Sequence, residues 1–137
     1  MITDSTESNA RKAKGETLQK AIEAGLKAAF PEHADDIESS PMSAHGEDIR
    51  IKSNAARKAV PVSIEAKWKA TGLSNVYAAY QQAAQQAEAL PSTLEITPIA
   101  AIQQEGCDPL IVMSVADWLG LITQLHRLAA NNSGGDC

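Results

Sequence analysis

Residues 60–69 alternate strictly between apolar and polar positions, and no other feature narrows the fold as much. Val62, Ile64, Ala66 and Trp68 fall on one side, and Ser63, Glu65, Lys67 and Lys69 on the other. A period of two is the signature of an extended strand with one covered face, because successive side chains of a strand point to opposite faces. A shorter run with the same period precedes it at 47–52. There Ile49 and Ile51 oppose Asp48, Arg50 and Lys52. With only the loop SNAARKA between them, the two runs are expected to form an antiparallel pair.

Around this pair the period changes to that of helices. In residues 16–30, Leu18, Ile22, Leu26 and Ala29 recur every three or four positions before Pro31, which predicts an amphipathic helix stopped by proline. The polar segment PEHADDIESSPMSAHG reads as a long connection. Residues 75–90 predict a second helix, capped by Ser74, closed by Pro91, and buried through Val76, Tyr80, Ala83 and Ala87. Residues 94–103 and 110–115 are rich in Ile and Val around a turn-forming segment and predict a second hairpin. A last helix over 116–130 is expected to bury Trp118, Leu121, Ile122, Leu125 and Leu128 on the chain's own sheet. This order predicts an α/β fold, a single domain with a mixed β-sheet flanked by helices.

The chain has 137 residues, enough for one domain with a modest core. Residues 14–130 are assigned to that domain. The polar stretches at 1–13 and 131–137 are expected to be disordered tails. No run is long and apolar enough to span a membrane and no secretory leader is visible, so no membrane partner and a cytoplasmic location are expected. Cys107 and Cys137 are the only cysteines and lack metal spacing, and Cys107 reads as an ordinary loop residue. The formal charge is −5, which excludes a generally basic nucleic-acid coat. Its distribution is uneven: eleven of the 12 basic residues lie between Arg11 and Lys69, and Arg127 alone follows.

The chemistry is concentrated in Asp48 and Glu65-Ala66-Lys67. Two positions apart on a strand, Glu65 and Lys67 point to the same side with about 7 Å between Cα atoms. An adjacent strand would bring Asp48 to that side. Two converging carboxylates form an oxygen-donor site for a hard divalent cation such as magnesium or manganese. A neighbouring lysine can orient a water and offset phosphate charge as an ammonium, or deprotonate the water as a free amine, so the set has the parts for metal-assisted phosphodiester hydrolysis. The bland alternative is the wet face of an amphipathic hairpin.

The same stretch resembles a known family. Ser43-Ala44-His45-Gly46 before Glu47-Asp48-Ile49, Ala56-Arg57, Pro61-Val62-Ser63-Ile64 leading into Glu65-Ala66-Lys67, and Asn75-Val76-Tyr77 through Gln82-Ala83 carry the likeness. Leu110-Ile111-Val112-Met113-Ser114 and Asp117-Trp118-Leu119 extend it. Together they resemble the phage-type, Holliday-junction-resolvase-like nucleases of the PD-(D/E)XK superfamily, over residues 15–128. The resemblance implies a restriction-endonuclease-like core and a magnesium- or manganese-dependent endodeoxyribonuclease of phage or bacterial intracellular origin. It implies that Asp48 and Glu65 hold the metal, that Lys67 assists the attacking water, and that Gln82 supports the site or touches the substrate backbone. A resolvase of branched or duplex DNA is further expected to act as a homodimer, because a junction offers two symmetric strands. The chain departs from the family pattern at two places. Gln19 follows Leu18 where the first helix often carries Glu, and Gln103-Gln104 ends the third strand where basic residues are common. A catalytically weak or inactive DNA- or partner-binding relative is therefore the alternative.

Arg50, Lys52, Arg57, Lys58, Lys67 and Lys69 form a basic run interrupted by one acid, Glu65. Beside the motif it is read as a DNA-backbone patch, with Arg57 and Lys58 on a loop that reaches phosphate and Lys69 and Gln82 as further DNA contacts. His33, Asp35 and Asp36 are read as a solvated loop, His45 as loop-shaping, and Tyr77 and Tyr80 as core or rim residues. Of the glutamines at 81, 82, 85 and 86, all except Gln82 are assigned to a polar helix face.

Overall fold

The computed structural model describes residues 3–41 and 46–133. The loop residues Ser43, Ala44 and His45, together with Cys137, lie outside the described residues. The described chain divides into two compact units, Met1–Ala70 with Leu119–Cys137, and Thr71–Trp118.

The first unit begins with helix α1, Thr3–Ala29. It therefore includes most of the segment 1–13 that composition assigned to a disordered tail, and residues 6–14 of it are exposed. Its covered stripe is Gly15, Gln19, Ile22, Leu26 and Phe30, spaced by three or four residues as one helical face requires. The expected stripe was correct at Ile22 and Leu26 but ran through Leu18 and Ala29, which are only half-buried. Phe30 continues the helical hydrogen bonding, its N–H reaching the Leu26 carbonyl at 2.9 Å. Pro31 then forces the preceding residue out of the helical region, and Phe30 sits at φ −128°, ψ 66°.

A 3-10 turn, Pro31–Asp36, delivers the chain into β1, Ile37–Ser39, which pairs antiparallel with β2, Ile49–Ile51. The register sets Ile37 opposite Ile51 and Ser39 opposite Ile49. Ser40 N–H to the Asp48 carbonyl and Lys52 N–H to the Asp36 carbonyl, both 2.8 Å, extend the ladder at its two ends. Strand β2 thus takes a different partner from the expected run 60–69. Its true neighbour, Ile-Glu-Ser, is too short to show a period in the sequence.

The loop SNAARKA also differs, because it forms helix α2, Asn54–Ala59. Ser53 caps it: its hydroxyl oxygen accepts the Ala56 N–H at 3.0 Å and its O–H donates to Asp36 Oδ2 at 3.0 Å. Two turns of chain wound into a helix cannot serve as a tight hairpin connection, so residues 60–69 return extended but without a continuous ladder. Asp48 N–H to the Ile64 carbonyl, 3.0 Å, joins this segment to β2. Burial nevertheless follows the predicted alternation, with Val62, Ile64, Ala66 and Trp68 half-buried and Ser63, Glu65, Lys67 and Lys69 exposed.

The core of this unit is Ile22, Leu26, Phe30, Ile37, Ile49, Ala56 and Val60. Within it, Glu23 accepts the Ser39 hydroxyl at 2.8 Å, with Lys27 at 3.4 Å and Lys20 at 3.6 Å. Burial works to raise the pKa of Glu23, but the Ser39 hydroxyl and amide and the two lysines outweigh it and hold the carboxyl below its ordinary 4.5. The stabilisation is complete above the unfolded value and is lost as pH falls through the lower folded one. Urea titrations on either side of pH 4.5 are expected to show that acid-side loss in the wild type and a shallower one in Glu23→Gln. Identical pH profiles would show that Glu23 gives nothing to acid stability.

Helix α4, Val115–Ser133, runs three residues into the expected C-terminal tail and contributes Leu119 onward to the first unit. A Cβ at Gly25 would lie 2.6 Å from Leu119 Cδ1, so glycine there admits the leucine against α1. His126 contacts Glu32 and stacks at a tilt on Phe30, with ring centroids 4.8 Å apart. The hydrogen bond of Glu32 to its own amide, followed by His126, lowers the pKa of this carboxyl. The expected apolar stripe of α4 is covered only in part. Trp118 and Ile122 are half-buried, whereas Leu121, Leu125 and Leu128 are 42%, 65% and 57% exposed. A two-stranded sheet of three residues per strand offers little apolar area, and α1 already packs against β1.

The second unit holds helix α3, Ser74–Glu88, and the hairpin of β3, Ala100–Ile102, and β4, Leu110–Val112. The hairpin is antiparallel as expected, with Ala100 opposite Val112 and Ile102 opposite Leu110. Exposed Cys107 lies in its loop, as predicted, next to Gly106 at φ +80°. Val76, Tyr80, Ala83 and Ala87 do form the inward stripe of α3, but all are half-buried rather than buried. Ser74 is not the cap. Leu73 occupies that position, without a side-chain capping bond. Helices and strands therefore mix along the chain as an α/β reading expects, but among the described residues two separate antiparallel pairs replace the single mixed sheet.

Candidate functional site

Asp48 is tied to the chain on both sides. Its carbonyl accepts from Ser40 at the end of β1, its N–H donates to Ile64, and its Oδ2 accepts the Ala66 N–H at 2.6 Å. A carboxylate taking an amide proton at this distance makes a strong charge-assisted bond, which fixes the orientation of the group. Ala66 is the residue between Glu65 and Lys67. The three candidate residues are thereby gathered about one peptide unit, with Asp48 half-buried against it and Glu65 and Lys67 exposed on either side.

Glu47, which carried no signal in the sequence beyond its place next to Asp48, proves to be part of the scaffold. Its Oε1 meets Arg57 Nη2 at 2.7 Å, its carbonyl accepts the Ser40 hydroxyl at 2.7 Å, and its Oε2 is buried without a hydrogen-bond partner. Arg57 also donates from Nη1 to the Val62 carbonyl at 2.7 Å. One guanidinium therefore clamps residue 47, just before Asp48, to residue 62, just before the motif. Expected on a loop, Arg57 lies instead on α2, with one donor of Nη1 and one of Nη2 engaged inside the chain. Planar, forked donors suit such a double contact better than an ammonium would.

Lys58, the next residue of α2, is exposed and lines a groove of about 530 Å³ with Pro61, Val62, Ile122, Leu125 and His126. Lys69 is exposed at the end of the motif segment. Gln82 is exposed on α3 and belongs to the second unit. Gln19, the departure noted in the first helix, is 4% exposed on the inner stripe of α1. His33, Asp35 and Asp36, read as a solvated loop, lie instead in the 3-10 turn, where Asp36 accepts the Ser53 hydroxyl. Among the described residues no group of three or more His, Cys, Asp or Glu is placed to hold a metal ion, so a cation here would rest on two carboxylates and water.

Opposite the motif, α1 contributes Glu7, Arg11 and Lys12 to a cleft of about 550 Å³ whose other wall is Ala66, Lys67 and Trp68. Lys14 Nζ lies 4.7 Å from the centre of the Trp68 ring, within cation–π range. The basic cluster Arg11, Lys12 and Lys14 was visible in the sequence but fell within or next to the expected tail. No helix among the described residues is long and apolar enough to cross a membrane. Compared with family models, curated proteins and solved structures, the chain matches none.

Proposed function

We propose that this protein is a metal-dependent endodeoxyribonuclease that hydrolyses phosphodiester bonds, structure-specific in the manner of the phage-type resolvases its motif region resembles. The restriction-endonuclease-like core belongs to the same proposal. The observation that carries it is the bond from the Ala66 amide to Asp48 Oδ2, which gathers Asp48, Glu65 and Lys67 about one peptide unit. The donor set fits magnesium or manganese. Both candidate ligands are hard carboxylate oxygens, and the amide bond to one oxygen of Asp48 pre-orients the group. A bound divalent ion would supply Lewis-acid polarisation of a phosphoryl oxygen and a more acidic water. Asp48 and Glu65 would hold that ion, and Lys67 would orient the attacking water and offset phosphate charge as an ammonium, or take the water's proton as a neutral amine.

Labelled single-stranded, duplex, flap and four-way-junction DNA are incubated with wild type and Glu65→Gln, with magnesium, with manganese and with chelator. Cleavage by wild type with either metal, absent with chelator and absent in a folded Glu65→Gln, is expected. Cleavage that persists in the folded variant or in chelator overturns the assignment. A second reading, a DNA- or partner-binding relative without turnover, is favoured by Gln19, which puts a neutral amide in the covered stripe of α1. Metal-dependent turnover by wild type removes it.

A further inference from the structure

Ser8, Arg11, Lys12 and Gly15 are spaced i, i+3, i+4 and i+7, so they share one face of α1, and that face forms one wall of the cleft opposite Ala66-Lys67-Trp68. The cleft carries three cations, Arg11, Lys12 and Lys67, against one acid, Glu7. The chain as a whole is acidic, with a formal charge of −5, so this concentration of positive charge is local. Its floor is different in kind. Gly15 is buried, Ala66 and Trp68 are half-buried, and the Lys14 ammonium lies over the indole. Two members of the basic run already have partners inside the chain: Arg57 donates to Glu47 and Val62, and Lys52 pairs with Glu38 at 3.4 Å.

We infer that the cleft between α1 and the motif segment is a seat for a nucleic-acid sugar–phosphate backbone, with Arg11 and Lys12 as phosphate contacts that continue from Lys67. The inference rests on DNA being the partner, as proposed above, and adds the residues that grip it and the path it takes. Two adjacent cations on α1 with a third on the opposite wall can meet neighbouring phosphates of one backbone, whereas a small anion would need only one of them. The geometry also gives α1 a function that its exposed, polar N-terminal half otherwise lacks.

Binding is measured by fluorescence anisotropy with labelled single-stranded and duplex DNA, in chelator and over a range of salt, so that no turnover enters the signal. The proteins are wild type, Arg11→Gln/Lys12→Gln, and Lys20→Gln/Lys27→Gln, which removes the same charge from α1 outside the cleft. The cleft pair is expected to weaken binding about tenfold and to reduce the slope of log K against log salt by about 2, the value for two lost phosphate contacts. The control pair should change both much less. Equal effects of the two pairs, unchanged binding by the cleft pair, or no binding by wild type at low salt each overturn the inference. So does competition by polyglutamate as effective as that by unlabelled DNA, which would indicate a general polyanion surface. A wild type that binds through the cleft but never cleaves refutes the nuclease proposal alone.

Discussion

Asp48→Asn is expected to leave the protein folded while removing metal-dependent DNA cleavage by about a thousandfold or more, whereas Asp48→Ala should lose both cleavage and stability. The difference follows from the two tasks of one carboxylate. Its Oδ2 satisfies the Ala66 N–H at 2.6 Å, and its charge is what a divalent cation would require. The asparagine side-chain oxygen can still accept that N–H, so the structural bond survives and the negative charge does not. Losing a charged ligand from such a site removes about 4 kcal/mol of transition-state stabilisation, equivalent to about three factors of ten. Alanine in addition leaves the amide without its acceptor, at about 1.5–3 kcal/mol. Urea denaturation and single-turnover cleavage of the same three proteins separate the effects. Equal destabilisation of both variants would assign Asp48 a purely structural role, and cleavage retained by Asp48→Asn would remove it from the chemistry.

Phe30→Ala carries the largest expected effect on stability, about 3–5 kcal/mol. Phe30 is the chain's single phenylalanine and is 1% exposed. It ends the stripe of α1, its amide closes the last helical hydrogen bond, and its ring stacks on His126 of α4. Truncation opens a cavity at the point where α1, the 3-10 turn and α4 meet within the first unit. Thermal melting should fall by about 10 °C or more for a chain of this size. A loss below about 1 kcal/mol would mean that the site is not packed as described.

Some of this was legible from the residues alone. The alternation at 60–69 predicted which side chains are covered, and it holds residue by residue from Val62 to Lys69 even though no continuous ladder forms there. The period depends only on local extended geometry, whereas pairing depends on where the rest of the chain passes. That is why the partner of β2 was missed. Ile37–Ser39 is three residues long, and a strand so short has no readable period. Helix α2 was hidden for a related reason: it is six residues long and its cap, Ser53, gains its other partner from Asp36, seventeen positions away. The contact of Arg57 with Glu47 was hidden likewise, since it joins a helix the sequence did not show to a residue ten positions earlier.

By itself, then, the sequence determined the local conformational periods, the second hairpin and the amphipathic helices, and it singled out Asp48, Glu65 and Lys67 for the proposal. These follow from side-chain spacing, which is encoded within a few positions. The tertiary structure decided the pairing of β2 with β1, the division into two units, the engagement of Arg57 with Glu47 and the alignment of Arg11 and Lys12 with Lys67. Each of these joins residues ten or more positions apart, where chain path and competition for buried partners outweigh local preference.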